Sequence, residues 1–438
     1  MKSLNFNFAV KSLFARVKQY RSLFSVCAVG VCVMLSVLMV TDGMLISMTE
    51  KMRQYYGGDF MVLHDADGAY GVLEEYADII SALREILPKG TEVSYRYKMD
   101  SGDKSLFFEG VSVKQRSIQG VDFSLEKPLF DKFNFVEGGP EERESRDAVL
   151  ISLPVAEKLG VHVGDSVVLF LETPLGKNTK DLVVTGIFQD SSVFGMYTAY
   201  IDYQAFKKAV GFDKFLETTG IDVNPIDKVC VYYPNGAPSK KEIARVQSEL
   251  EKRFMMMPLS YGKSNWQNFQ IKSGMSVYAI IPLSANVSEL KKLSLALRGI
   301  VAMIVAMLVV IISVGISSTF RVIILKRAVE SGTFRALGMT PAGLMALYFT
   351  EILLLLLSGT FVGFAASFII VKIASAYNLS FISGFDLFLT GGHLQPCLNV
   401  GETLGLLSII FVTTLGAVLF TLRKLVHISP VGALATVS

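Results

Sequence analysis

Charged residues are spread unevenly along the chain, and four long stretches carry none: Leu23 to Thr41, Gly299 to Phe320, Ile352 to Val371 and Thr403 to Leu422. Each reaches the roughly 20 residues with which a helix crosses about 30 Å of hydrocarbon, so the pattern predicts four transmembrane helices. The first stretch is too long for a cleaved signal peptide, and no small-x-small cleavage site follows it. Between the first and second stretches the pattern changes. Alternating or short apolar runs at Asp59 to His64, Thr91 to Met99, Ser105 to Val113, Ser166 to Leu171, Leu182 to Phe188 and Val229 to Tyr233 read as strands. Helical spacing marks Leu73 to Leu87 and Ser239 to Phe254, the latter opened by a capping box of Ser239 with Glu242.

Three apolar stripes lie beside the spans. Met44, Met48, Met52 and Tyr55 recur at intervals of three and four after the first, as do Val287, Leu290, Leu293 and Leu297 before the second. Paired, they would form a stalk; unpaired, they are amphipathic surface helices. Phe6, Val10, Leu13, Phe14, Val17 and Tyr20 form a third stripe, with Lys11, Arg16 and Lys18 off it, which describes a helix in the membrane interface.

Lys and Arg in the short flanks set the orientation. The N-terminal segment has five basic residues and no acid. Arg321, Lys326, Arg327 and Arg335 follow the second span, and Arg423 and Lys424 follow the fourth, whereas the segment 372–402 has one basic residue. Both termini of a multi-pass membrane protein are therefore expected in the cytoplasm. The expected fold is an α-helical membrane protein with four transmembrane helices plus a large α+β extracytoplasmic domain inserted between helices one and two. The domains are 1–48 (amphipathic helix and first span), 49–285 (extracytoplasmic domain) and 286–438 (connecting helix and the remaining spans). Residues 42–297 carry 29 Lys and Arg against 35 Asp and Glu and are long enough for their own core.

Composition agrees: 51% of the 438 residues are hydrophobic and 18% are charged, with mean hydropathy +0.46. A net charge of +3 is too balanced for a nucleic-acid binder. Four cysteines without a CxxC pair and four histidines point to no metal site; a bridge between Cys230 and Cys397 stays open. Gly262-Lys263-Ser264 resembles the end of a P-loop, but Met257 stands where its first glycine is required. No hydrolytic constellation is present. The chain is thus expected to be non-catalytic and to bind no cofactor or metal of its own.

The segment Arg327-Ala-Val-Glu330-Ser331-Gly332-Thr-Phe-Arg335-Ala-Leu-Gly338, with Glu351 and the glycines Gly359 and Gly363 after it, resembles the cytoplasmic loop of FtsX-like, MacB-type ABC transporter permeases. Ser331 replaces that family's usual apolar residue. Ala148 to Val167 resembles the family's LA-x-x-LG-x-x-x-GD-x-V segment, Val183 to Phe188 its next strand, and Ile428 to Leu434 its terminal Pro-x-x-A-L signature; Trp266 falls where the family often has Trp.

The resemblance implies the inner membrane as location and a coupling helix within 321–340 that docks on a separate ATPase dimer, which would carry the ATP and Mg. Arg327, Glu330, Gly332, Arg335 and Gly338 would make that contact, with Gly338 as a left-handed cap. Glu351 reads either as an intramembrane functional acid or as an interfacial carboxylate paired with a base such as Arg335. Size and layout resemble the lipoprotein-releasing permeases of the LolC and LolE kind, although the 172–181 hairpin is shorter than the hook with which the LolC kind holds its periplasmic carrier. The partners implied are a second permease copy or paralogue, lipoprotein cargo, membrane lipids and, if the hairpin suffices, a carrier. MacB-like efflux by mechanotransmission and FtsX-like transmembrane signalling are the alternatives, and the residues that would bind cargo are not legible.

Overall fold

The computed structural model describes residues 17–426, apart from 67–75, 100–101, 127–129, 141–146, 174–175, 221–223, 235, 260–275, 287 and 383. Phe6, Val10, Leu13 and Phe14 of the N-terminal stripe, Leu73, Trp266, Val287 and the Ile428 to Leu434 signature lie outside the described residues. In chain order there is one long helix, Val17–Tyr56, then a set of strands and short helices, then three further long helices, Ser288–Lys326, Pro341–Ala376 and Val400–Val426. All four long helices are long and apolar enough to cross a membrane. The chain divides into two compact units. One contains the described residues up to Met44 together with Ser294–Tyr377 and Leu394 onward; the other contains Leu45–Leu293 and Asn378–His393.

The helical unit packs through small residues, because lipid tails are as apolar as leucine and supply no hydrophobic drive between helices. Gly359 and Gly363 of the third long helix sit against the first: a Cβ at Gly363 would stand 2.6 Å from the carbonyl oxygen of Ala28, and one at Gly359 3.0 Å from the Cys27 sulfur. Gly30 receives Ile312 in the same way. Leu23, Val31, Leu35, Ile316, Phe320, Ile352 and Leu356 fill the apolar centre. The second and fourth helices meet along a seam of hydroxyls: Ser313 lies 3.2 Å from both Thr413 and Thr414, and Ser317 lies 3.0 Å from Thr421.

The other unit is built on one mixed sheet. Its strands are β1 (Phe60–Ala66), β2 (Glu92–Met99), β3 (Lys104–Phe108), β4 (Val111–Lys114), β5 (Ser117–Val121), β6 (Phe135–Gly138), β7 (Ala148–Ser152), β8 (Ser166–Thr173), β9 (Gly176–Phe188), β10 (Thr198–Asp202), β11 (Lys228–Tyr232) and β12 (Ser276–Pro282). They run in the order β12-β1-β11-β2-β5-β10-β7-β9-β8-β3-β4, with β6 beside β9; β5/β10 and β7/β9 pair in parallel and the others antiparallel. Two cores cover its two halves. Ile79 and Leu83 of the helix Tyr76–Ile86, with Val246 and Leu250 of Lys240–Leu250, pack on β1 and β11. Val155 and Phe206, from the helices Leu153–Leu159 and Tyr203–Val210, pack against β5 and β7 to β10. Ser239 caps its helix as its sequence suggests, accepting from the Glu242 N–H at 3.2 Å. Inside the sheet a fully buried Arg96 holds Glu126 at 2.7 Å and also donates to Gln119 and Tyr232.

Two expectations need correction. Ser105 to Val113 is a hairpin rather than one strand: Glu109 and Gly110 both take positive φ (43° and 85°), as a two-residue hairpin turn requires, and Phe108 pairs with Val111. The strand expected at Leu182 to Phe188 begins six residues earlier, at Gly176, because its polar half pairs with β8 down to Thr173 opposite Gly176. The first long helix does continue through Met44, Met48 and Met52 to Tyr55. Its 40 residues reach about 60 Å, twice the hydrocarbon thickness. Met48, Met52 and Tyr55 are buried, whereas Leu293 of the second stripe is exposed. All four cysteines are free thiols.

Candidate functional site

The second long helix ends at Lys326, and after Arg327 the chain turns into a nine-residue helix, Ala328–Ala336. Gly338 closes this short helix at φ 94°: its own N–H reaches the Arg335 carbonyl and the Met339 N–H reaches Phe334, the paired bonds of a Schellman cap. Thr340 then caps the third long helix by accepting from the Gly343 N–H, with Pro341 at the first helical position, where a missing N–H costs nothing. Local sequence thus sets both the end of the short helix and the start of the third long helix.

Arg327 points into the helical unit. It is 3% exposed, and its Nη1 lies 2.6 Å from Oε2 of Glu351, a carboxylate with no exposed surface. The Tyr20 hydroxyl completes the group, accepting from Arg327 at 2.8 Å and donating to the same Glu351 oxygen at 2.7 Å. Arg327 Nε bonds Glu330 at 3.1 Å, and its guanidinium stacks over the Tyr348 ring at 5.0 Å. Tyr348 in turn meets the Ser331 hydroxyl at 2.6 Å. The first helix, the short helix and the third helix are therefore joined by one buried polar network at the point where the short helix leaves the second. Glu351 Oε1 has no hydrogen-bond partner among the described residues. A carboxylate and a guanidinium removed from water this far are stable only as a pair.

This geometry revises part of the sequence reading. Arg327, expected on the ATPase contact, is turned inward because its guanidinium is the counter-ion of Glu351. Glu351 pairs with Arg327 rather than with Arg335, since the third helix starts at Pro341 and carries Glu351 about 15 Å along its axis. Glu330 binds Arg327 while its side chain remains 37% exposed, and Arg335 is half-buried. At Gly332 an added Cβ would meet nothing within 4 Å, so nothing in this chain requires a glycine there. Tyr20, Ser331 and Tyr348 were not among the expected site residues. Their signals are present but faint: Tyr348 stands three residues, one helical turn, before Glu351, and Ser331 is the position that departs from the family pattern.

Residues 26–248 match the MacB-like periplasmic core domain, and residues 302–430 match the FtsX-like permease C-terminal. No curated protein matches the chain. The first match covers half of the chain, and the second covers most of the second long helix and the third and fourth, with Arg327, Glu330, Ser331, Tyr348 and Glu351, while Tyr20 lies outside both. The chain belongs to the FtsX- and MacB-type family of ABC transporter permeases.

Proposed function

We propose that this chain is the non-catalytic membrane subunit of an ABC transporter that lifts lipoproteins from the outer leaflet of the inner membrane. In this reading the sheet domain is a periplasmic insert between the first and second spans, both termini are cytoplasmic, and a separate ATPase dimer supplies ATP and Mg. Two permease chains, identical or paralogous, dock their short helices Ala328–Ala336 on that dimer. Closure of the dimer pushes the short helices, and the push reaches the first and third helices through Arg327, Glu351 and Tyr20. The observation that supports this route is the buried pair itself: Arg327 adjoins the short helix and pairs there with the partly exposed Glu330, while its Nη1 holds the fully buried Glu351 of the third helix. Glu330 and Arg335, both partly exposed, are left for the ATPase.

Work is needed because each acyl CH₂ in the bilayer is worth about 0.8 kcal/mol. A periplasmic carrier is left out of the proposal, since β8 and β9 pair as far as Thr173 and Gly176, which leaves two residues for the hairpin tip.

The test is purification of the chain from its native membrane in mild detergent, with mass spectrometry of bound proteins and lipidated species. An ATPase together with triacylated lipoproteins is the expected result. An ATPase with an adaptor or a hydrolase and no lipoprotein would move the cargo reading to efflux or signalling; absence of an ATPase would sink the coupling role.

A further inference from the structure

Where β2 and β11 pair, the sheet has one apolar and one polar face. Alternate residues of a strand share a face, and so do directly opposite residues of paired strands. Val93 and Tyr95 therefore lie with Val229 and Val231, on the side packed by the helices Tyr76–Ile86 and Lys240–Leu250. Glu92, Ser94 and Arg96 lie on the other side, opposite Tyr232, Cys230 and Lys228. Over this polar face, the last turns of the first long helix and the turn after β5 leave a cavity of about 200 Å³, lined entirely by residues of the sheet unit. That is ample room for water but less than the roughly 300–1,000 Å³ of a pocket for a drug-sized ligand, so an occupant is small.

The lining carries both signs of charge: Glu50, Glu92 and Glu126 supply carboxylates, and Arg53 and Lys132 supply cations. Bonds within the domain use part of this set. Lys132 Nζ lies 2.7 Å from Glu50 Oε1, and Arg53 Nη2 donates to Asp59 at 2.8 Å and to the Tyr233 carbonyl at 2.6 Å. Arg96 and Ser94 both donate to Glu126 Oε1 at 2.7 Å. Two buried atoms are left over, and they are opposite in sense. Glu126 Oε2, on a residue 1% exposed, is an acceptor without a donor, and Arg53 Nε is a donor without an acceptor, among the described residues. Tyr232 links the two: the Arg53 guanidinium lies 5.8 Å from its ring centre, and its hydroxyl accepts from Arg96, which holds Glu126. Buried polar atoms normally find partners, so this pair calls for an occupant that brings one donor and one acceptor. Both atoms belong to ions, and charge-assisted bonds are the stronger kind, so an ammonium and a carboxylate complement them better than water or a neutral amide does.

We propose that this cavity binds a free α-amino acid with a small or branched aliphatic side chain. Its ammonium lies on Glu126, with the exposed Glu92 at the mouth, its carboxylate on Arg53, and its side chain against the Tyr232 ring and Leu125. The site belongs to the sheet domain alone and stands whatever the cargo.

Isothermal titration calorimetry on the full-length chain in lipid nanodiscs tests this. L-Alanine is compared with ethylamine and propanoate, and L-leucine with isopentylamine and isocaproate, so that each amino acid faces the amine without its carboxylate and the acid without its ammonium. At least one amino acid is expected to bind saturably, with its amine and its acid each about ten- to a hundredfold weaker. Glu126→Gln should weaken binding by a similar factor. Because that change also strips Arg96 of its carboxylate, Leu125→Trp is the second variant: it fills the cavity from a half-exposed position, leaves the ion pairs in place and should abolish the heat. An amine or an acid that binds as tightly as its parent would overturn the proposal, since one end alone would then suffice. No saturable heat with either amino acid would also overturn it, leaving the cavity to water, and so would undiminished binding by Leu125→Trp.

Discussion

Replacing Glu351 by Gln removes a charge and almost no volume, and its cost can be worked from the geometry. Arg327 and Glu351 stand 2.6 Å apart with 3% and no exposure of their side chains. At an effective dielectric constant of about 20, two unit charges at that distance attract by about 6 kcal/mol, and desolvation of the ions consumes much of this. Deleting one partner leaves the desolvation cost of the other uncompensated, so E351Q should destabilise the helical unit by about 3–5 kcal/mol. Tyr20→Phe, which deletes one hydroxyl between two charges, should cost about 1.5–3 kcal/mol. The double variant Arg327→Met with Glu351→Leu should return to within about 1–3 kcal/mol of the parent, because neither charge is left buried alone and only the Tyr20 hydroxyl loses its partners.

Unfolding of the purified chain by increasing SDS in mixed micelles, followed by helical circular dichroism, measures all three. The same proteins assayed with the ATPase separate packing from coupling: the double variant should be stable and still fail to stimulate ATP hydrolysis. An E351Q cost below about 1 kcal/mol, the range of an exposed pair, would refute the buried-pair reasoning. Full ATPase stimulation by the double variant would refute the transmission role.

Gly363→Ala should destabilise the bundle by about 1–3 kcal/mol in the same SDS titration, since its Cβ would lie 2.6 Å from the Ala28 carbonyl. Gly332→Ala, which meets nothing within the chain, should by contrast stabilise its short helix by up to about 1 kcal/mol, so loss of ATPase co-purification with this variant would place the partner against Gly332. Burial pushes the Cys230 thiol up to about 11, and at pH 8 about one part in a thousand is thiolate, against roughly a quarter for an ordinary cysteine. Maleimide should therefore label the partly exposed Cys397 well before Cys230 in the native chain, as peptide mass spectrometry would show. The folded chain also keeps this proton after the unfolded chain has lost its own, so the contribution of Cys230 to stability is intact below about pH 8.5 and fades as pH rises toward 11. Asp386 accepts from the Ser191 N–H and hydroxyl and from Gln189, so Asp386→Asn should speed hydrogen exchange in both 378–393 and 189–194, and faster exchange in only one of them would show that these bonds do not hold the two together.

The spans were legible because an uncharged run of 20 residues is a one-dimensional signal that tertiary contacts do not erase. The strands were legible where alternation or apolar runs were uninterrupted, as in β2 and β11. Sequence reading went wrong where a partner far along the chain decides: Glu109 and Gly110 sit inside an apolar run that reads as continuous, and the polar half of β9 becomes strand only because β8 lies beside it. The site followed the same rule. Gly338 was foreseen as a cap because capping is local, whereas the partner of Glu351 was mistaken because 24 residues and a helix turn separate it from Arg327. The union of the 378–393 loop with the sheet domain hangs on bonds spanning 195 and 197 positions, which no local pattern encodes.

The hydroxyl seam between the second and fourth long helices bears on how such a bundle can move at all. Thr413 and Thr421 each also donate to a carbonyl one turn back on their own helix, Ile409 at 2.8 Å and Ala417 at 3.0 Å. Ser313 already stands equidistant from two threonines. A sliding or rolling of one helix against the other would therefore leave Thr413 and Thr421 paired with their own helix, while Ser313 can pass from one threonine to the next. The seam is a lubricated bearing, and the buried Arg327–Glu351 pair, which ties the start of the short helix to the third long helix, is the pin about which it can turn.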